Sequence, residues 1–176
     1  VVNSNLVHRQ GQPDLLADEE KSDVNKLVMP RSWVNENSIN DILTNNYHLV
    51  WRAISAATNE RTFVTSILPK SGIGHSLFLI SLGDNKGICN LMANVNSFCF
   101  DYICRQKMGG ININYYLFKQ LPVLPPDAYG KWGGWIAERV LELVYTAVDL
   151  EPFARDLGYA GPPFAWDPAR RFRLRC

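Results

Sequence analysis

The spacing of apolar positions changes several times along this chain, and each change marks an element. Residues 1–26 are polar, with carboxylates at Asp14, Asp18, Glu19, Glu20 and Asp23 and no sustained period, which predicts a lead-in lying on the surface or flexible. Leu27-Val28-Met29-Pro30 opens the folded part, and Asn37 or Ser38 stands where it would cap a short helix over Ile39, Ile42 and Leu43. From Tyr47 aromatic and β-branched residues take over. Tyr47 to Ala57, Arg61 to Leu68 and Leu77 to Ile80 are strand candidates. They are separated by turn-forming Thr58-Asn59-Glu60 and Ser71-Gly72-Ile73-Gly74, and Pro69 closes the second run.

Helical spacing begins at residue 90. Leu91, Val95, Phe98, Tyr102 and Ile103 fall on one face of a single amphipathic helix predicted over residues 90–108. Gly109-Gly110 stands where a left-handed cap would end it, and Arg105 and Lys107 occupy its last turn. Polar-aromatic residues 112–116 and the proline-bearing 118–126 follow, the latter as an edge strand or extended connector. A second helix is predicted from about Trp132 to Asp149, with an apolar stripe of Ile136, Val140, Leu143, Val144 and Ala147. The last residues, with prolines and Arg170, Arg171, Arg173 and Arg175, predict an extended arm or the start of a further element. The pattern gives a mixed α/β (α+β) chain. It divides into a polar lead-in over 1–26, a domain over 27–150 and a Pro/Arg-rich extension over 151–176.

With 47% hydrophobic and 20% charged residues among 176, the chain suffices for one core and is not of disordered composition. No apolar run is long enough to span a bilayer, so no membrane partner is expected. Nothing at Val1-Val2-Asn3-Ser4-Asn5 looks like a signal peptide, and the expected location is cytoplasmic. The start without Met and the end at Arg173-Leu174-Arg175-Cys176 suggest a piece of something longer. Cys89, Cys99, Cys104 and Cys176 form no C-x-x-C pair, so they read as reduced cysteines, with Cys99 and Cys104 in a core helix. Charge is uneven. Residues 1–50 carry four basic and seven acidic side chains, 51–120 seven and three, and 121–176 seven of each. A basic middle suits a polyanion, although a solvated face gives the same count.

Motifs with catalytic overtones fail on inspection. Gly161-Pro162-Pro163-Phe164 is like the Asn-Pro-Pro-Phe/Tyr tetrapeptide of adenine-N6 methyltransferases, but glycine lacks the amide that would hold the target amino group, and no glycine-rich methyl-donor loop precedes it. Asp84-Asn85-Lys86 has nuclease-like spacing without an acidic partner, and a turn accounts for it. Gly72-Ile73-Gly74 is too short for a phosphate loop, and His8, His48 and His75 have no evident nucleophile beside them. The chain is therefore not expected to be an enzyme by itself, nor to hold a metal or cofactor.

Four stretches in order carry a resemblance. They are Pro30-Arg31-Ser32-Trp33-Val34; Trp51-Arg52-Ala53-Ile54 with Ala57 to Thr62 and the run to Leu68-Pro69; Asn96-Ser97-Phe98 through Arg105-Gln106-Lys107 to Gly109-Gly110; and Asn112, Asn114-Tyr115, and Lys119-Gln120-Leu121-Pro122-Val123-Leu124-Pro125. Residues 27–150 resemble the target-recognition region of large bacterial adenine methyltransferases of type II-G restriction-modification systems. They are also similar to the recognition domains of type I specificity subunits. The resemblance implies a curved, mainly antiparallel sheet with flanking helices. It implies duplex DNA as partner, together with the methyltransferase domain of a parent protein that uses S-adenosylmethionine and also cleaves DNA in some members. Base-reading residues differ with the target in this family and do not carry over by position.

On physical grounds the candidate DNA contacts are Arg61, Lys70, Arg105, Gln106, Lys107, Asn112, Asn114, Tyr115 and Lys119. Cations hold phosphates, while Asn, Gln and Arg read base edges. Each has a plainer reading: Arg52 and Arg61 fixing the fold from apolar strands, Asn112 and Asn114 bonding turn backbone, Gly109-Gly110 ending a helix, and Trp33 and Trp51 in the core. The competing function is a protein-protein module bridging subunits or holding the methyltransferase domain, through the stripe of the helix at 132–149.

Overall fold

The computed structural model describes residues 2–3, 14–26, 34–40 and 43–175. The expected entry at Leu27-Val28-Met29-Pro30, Trp33, Ile42 and Cys176 lie outside these residues. Two short strands, β1 (Val2–Asn3) and β2 (Asp14–Leu15), pair antiparallel, and α1 (Asp18–Lys21) and α2 (Glu36–Asn40) follow. The lead-in thus contains regular elements that its lack of period did not announce. The short helix begins at Glu36, ahead of the capping positions expected at Asn37 and Ser38.

The centre is an antiparallel sheet in the order β4-β3-β5, made of β3 (Tyr47–Arg52), β4 (Thr65–Pro69) and β5 (Leu77–Ile80). The chain forms the mixed α/β class expected from the pattern, with the antiparallel sheet and flanking helices that the resemblance implies. Five consecutive residues of β3, Tyr47 to Trp51, are buried, so both faces of the central strand are covered. Pro69 sits at the end of edge strand β4, opposite Tyr47, where a missing amide is tolerated. The register pairs Leu49 with Ile67 and with Ile80.

Helices cover the sheet. α3 (Asn85–Val95) starts on Asp84, whose carboxylate accepts from the Lys86 and Gly87 amides, and α4 (Phe98–Lys107) starts on Ser97. The single helix expected over 90–108 is therefore two. The Asn96 side chain bonds both Thr65 N and Thr65 O on β4, at 3.2 and 3.4 Å, and the Ser97 hydroxyl accepts from Phe100 N. A side-chain amide that anchors to a strand edge and a Ser that caps a new helix interrupt the helix together. The face predicted for the joined helix consequently splits. Val95 is buried, but Phe98 and Tyr102 are exposed. Nor does glycine end α4 in a left-handed cap. Met108 is the extended cap residue, and among the described residues the glycines with positive φ are Gly130 and Gly158.

α5 (Tyr115–Phe118), a 3-10 turn at Pro126–Tyr129, α6 (Trp132–Val144), a 3-10 turn at Val148–Leu150, α7 (Glu151–Asp156) and α8 (Pro168–Arg175) complete the chain. Residues 118–126 are accordingly a helix end and a connector, not a strand. α6 packs on α3. Gly133 allows the approach, since a Cβ there would stand 3.3 Å from the Asn90 side chain.

Two apolar clusters form the core. One joins β3, β4, α3, α6 and α7 through Leu49, Ile67, Ile88, Val140, Leu141 and Phe153. The other surrounds Trp51, which stacks on Phe118 and Phe78 at 4.7 and 5.0 Å between ring centroids. Trp51 is a core residue, as its surroundings suggested, and its indole donates to Ile113 O at 2.8 Å. The core runs past residue 150, because Phe153 and Ala154 are fully buried. Of the extended arm or further element expected there, the chain forms further elements, α7 and α8. Arg170 grips Glu142 with two bonds of 2.7 and 2.8 Å, Arg171 donates to Leu143 O at 2.9 Å, and Tyr47 donates to Asp156 at 2.9 Å. Cys89 and Cys104 are buried as expected, and burial pushes their thiols up to about 12 and about 11. Cys99, expected in the core, is exposed, because the new helix that starts at Ser97 turns that position outward. No helix among the described residues is long and apolar enough to cross a membrane.

Candidate nucleic-acid interface and the Asp101 cluster

At the carboxyl end of β3 three segments meet. Ser55 N donates to Ile111 O at 2.9 Å, Ile113 N to Ala53 O at 2.7 Å, and Ala53 N to Ser76 O at 2.9 Å. The loop after α4 is thereby laid along residues 53–55, and Ile54 bridges to Asn112. This brings the end of α4, residues 109–113 and α5 to one end of the sheet.

The nine candidate residues divide there by what their side chains do. Arg61 and Arg105 converge on Asp101. Arg61 donates to Asn96 O at 2.6 Å, a carbonyl freed by the helix break, and its Nε lies 3.5 Å from Asp101 as an ion pair without hydrogen-bond alignment. Arg105 donates to Asn59 O at 3.0 Å, Glu60 O at 3.1 Å and Asp101 at 3.2 Å. Asp101, 4% exposed, also accepts from Thr62 N and Phe63 N at 2.8 and 2.7 Å. Burial pushes its carboxyl up. The Phe63 amide, the Arg105 guanidinium, the charge of Arg61 and the Thr62 amide outweigh that and hold it below the usual carboxylate range. These groups fasten the loop between β3 and β4 to α4, the fold-fixing role foreseen for Arg61. Arg105 has the same role.

Asn114 caps α5, its side chain accepting from Leu117 N at 2.9 Å, as the plainer reading had it. Tyr115 packs its ring edge-on to Trp51 at 5.0 Å and donates to Leu79 O at 3.1 Å. Lys70 follows β4 at the opposite end of the sheet, its amide donating to Asn46 O at 2.8 Å. A five-residue strand of roughly 17 Å therefore separates it from the group.

Gln106, Lys107, Asn112 and Lys119 remain. All four are exposed, and among the described residues none of their side chains makes a hydrogen bond or ion pair. Around them stand exposed Ile54, Ile111 and Tyr116, the last 78% exposed. Between Asp101 and Asp127 the chain has no carboxylate side chain at all. Cations, amides and an exposed ring on a segment without carboxylates match phosphate, base edges and thymine methyl or base faces, respectively.

Asp101 was missed as an organising residue, although a signal existed. It stands four residues before Arg105 inside an apolar stretch, a spacing that brings opposite charges together on a helix. Gly109 and Gly110 face open space. The stripe on α6 proposed for a partner is covered by the protein's own core at Val140, with Ile136 and Val144 packed against it. Among the described residues no three His, Cys, Asp or Glu side chains group to hold a metal ion. Comparison with family models, curated proteins and solved structures finds no match for the chain.

Proposed function

We propose that this chain is a DNA sequence-recognition module that binds duplex DNA in the cytoplasm and positions an adenine target. The methyltransferase domain it serves lies in a parent protein that uses S-adenosylmethionine. The observation that supports this reading is the segment 102–126 at one end of the sheet, which has no carboxylate side chain and on which, among the described residues, exposed Gln106, Lys107, Asn112 and Lys119 stand without hydrogen-bond or ion-pair partners. Lys107 and Lys119 hold phosphates and set register. Gln106 and Asn112 are the side chains of the type that reads base edges, an Asn or Gln pairing with adenine N6 and N7. Arg61 and Arg105 serve indirectly, by fixing the loop and helix from which that surface is built. Catalysis is assigned to the parent protein and not to this chain.

The test is binding of the full chain to a pool of random duplexes at several salt concentrations. A recognition module enriches one sequence, and its affinity falls linearly on a log-log plot against salt. Replacing Gln106 and Asn112 by Ala flattens the sequence preference, whereas Lys107→Ala and Lys119→Ala weaken all sequences alike. An unenriched pool, or an affinity indifferent to salt, would refute the assignment.

A further inference from the structure

Residues 53–55 and 111–113 run side by side as a short antiparallel ribbon. Ser55 N donates to Ile111 O at 2.9 Å and Ile113 N to Ala53 O at 2.7 Å, and Ile54 stands opposite Asn112 between these bonds. A residue pair flanked by two ladder bonds, and not itself bonded, is the close site of an antiparallel ladder. Its Cα atoms stand about 4.5 Å apart and its side chains are nearest to each other. Alternation along the strands fixes where the pair points. Ala53, Ser55 and Ile113 are buried, whereas Ile54 is half exposed and Asn112 is exposed. The inner face is anchored. Trp51 donates its indole N–H to Ile113 O at 2.8 Å, and the Ser55 hydroxyl donates to Thr62 O at 2.6 Å. Ile54 belongs to neither apolar cluster of the core. A primary amide and a branched apolar side chain are thus held next to each other, facing solvent, on a fixed backbone.

The two groups match one edge of one base pair. The major groove admits a two-stranded ribbon, and an A·T pair shows there adenine N7 and N6, then thymine O4 and the thymine methyl. An amide accepts from N6 and donates to N7, and an apolar side chain beside it covers the methyl. A G·C pair offers that amide two acceptors, N7 and O6, and no methyl, while a T·A pair presents the A·T groups in reverse order. Neither side chain of the pair is charged, as suits base edges, and the phosphates fall to Lys107 and Lys119. Taking the duplex binding proposed above as the basis, we infer that Ile54 and Asn112 act as one unit that reads a single A·T pair from the major groove. Ile54 is then a specificity-determining residue, through the thymine methyl.

The test uses the full chain and the duplex enriched from the random pool. At each A·T pair in turn, thymine is replaced by uracil, which removes only the methyl, and adenine by 7-deazaadenine, which removes only the N7 acceptor. At one and the same pair, the first change is expected to weaken binding about four-fold and the second about ten-fold. Ile54→Ala should bind the thymine and uracil duplexes equally and still sense 7-deazaadenine, whereas Asn112→Ala should lose the 7-deazaadenine effect. Neither variant should alter the salt slope. Unchanged melting curves establish that each variant folds, and the base changes need no variant at all. An enriched site without an A·T pair, the lack of any pair sensitive to both base changes, or an undiminished uracil effect in Ile54→Ala overturns the inference. Any of these results, obtained with salt-dependent and sequence-selective binding, leaves the duplex-binding reading standing. An unenriched pool refutes both.

Discussion

Arg105 and Lys107 are two residues apart on one helix and have opposite fates. The guanidinium of Arg105 is held by two backbone carbonyls and Asp101. The ammonium of Lys107 meets no partner among the described residues. Arg61 and Lys119 repeat the contrast. The planar fork of Arg satisfies several carbonyls at once and is suited to a half-buried junction, whereas the strongly hydrated Lys ammonium stays in water. At this end of the sheet Arg61 and Arg105 organise the surface, and Lys107 and Lys119 remain unengaged among the described residues. Counting cations in a segment cannot separate those roles; the contacts do.

The sharpest way to break the comparison is to remove what holds the arginines. Asp101→Ala leaves two cations and two buried amides without their acceptor, and about 3–5 kcal/mol of stability should be lost in urea denaturation. Asp101→Asn keeps one acceptor oxygen and should lose less. A loss below about 1 kcal/mol for Ala, the scale of an exposed ion pair, would place this cluster with the surface charges.

Acid should act on the same cluster. The folded Asp101 carboxyl titrates below its ordinary 3.8, so its contribution is complete above that value and is lost as pH falls through the lower folded value. His48 adds an earlier window. It is 2% exposed with neither ring nitrogen in a well-aligned hydrogen bond, and burial, aided by the charge of Lys70 and opposed by the Asn45 carbonyl, lowers its pKa from 6.5. As pH falls below 6.5 the unfolded chain takes up a proton that the folded chain refuses, so stability declines until the folded value is passed. Denaturation midpoints followed from neutral to acid pH should show both declines, and His48→Leu should remove the first alone.

The elements were legible wherever burial imposes a period. Runs of apolar and β-branched residues marked β3 to β5, and helical spacing marked α6. Long-range side-chain contacts were not legible. Asn96 reaches β4, Asp101 reaches the amides of residues 62 and 63, and Arg170 reaches Glu142, all across more than twenty residues. Those contacts split one predicted helix, moved Arg105 from the surface into the junction, and folded the C-terminal stretch onto α6. Of the site, the segment and its residue types were readable. Which side chains remain unengaged was not, because a cap such as Asn114 and an exposed Asn112 look the same in sequence.

The proposed DNA binding would sharpen the contrast between the two kinds of cation. Lys107→Ala and Lys119→Ala should each lower the slope of log affinity against log salt by about 1, with stability unchanged. Arg61→Ala should lower stability and leave the slope in place, measured where the variant remains folded. A slope change for Arg61→Ala equal to that of the lysines would erase the distinction.

The smallest effect belongs to the two glycines between these lysines. Were Gly109 or Gly110 a left-handed cap, alanine there would cost about 1 kcal/mol. Neither has positive φ, and a Cβ at either position meets nothing within 4 Å. Alanine therefore fits the backbone and restricts the unfolded chain, so each substitution should be neutral or stabilise by up to about 1 kcal/mol. The consequence for binding is separate. If the backbone of residues 109–110 approaches a phosphate closely, the added methyl stands in the way, and DNA affinity falls while the melting temperature holds or rises. Only glycines that serve a partner and not the fold give opposite signs in those two measurements. A fall in both would return Gly109-Gly110 to the framework, alongside Arg61 and Arg105.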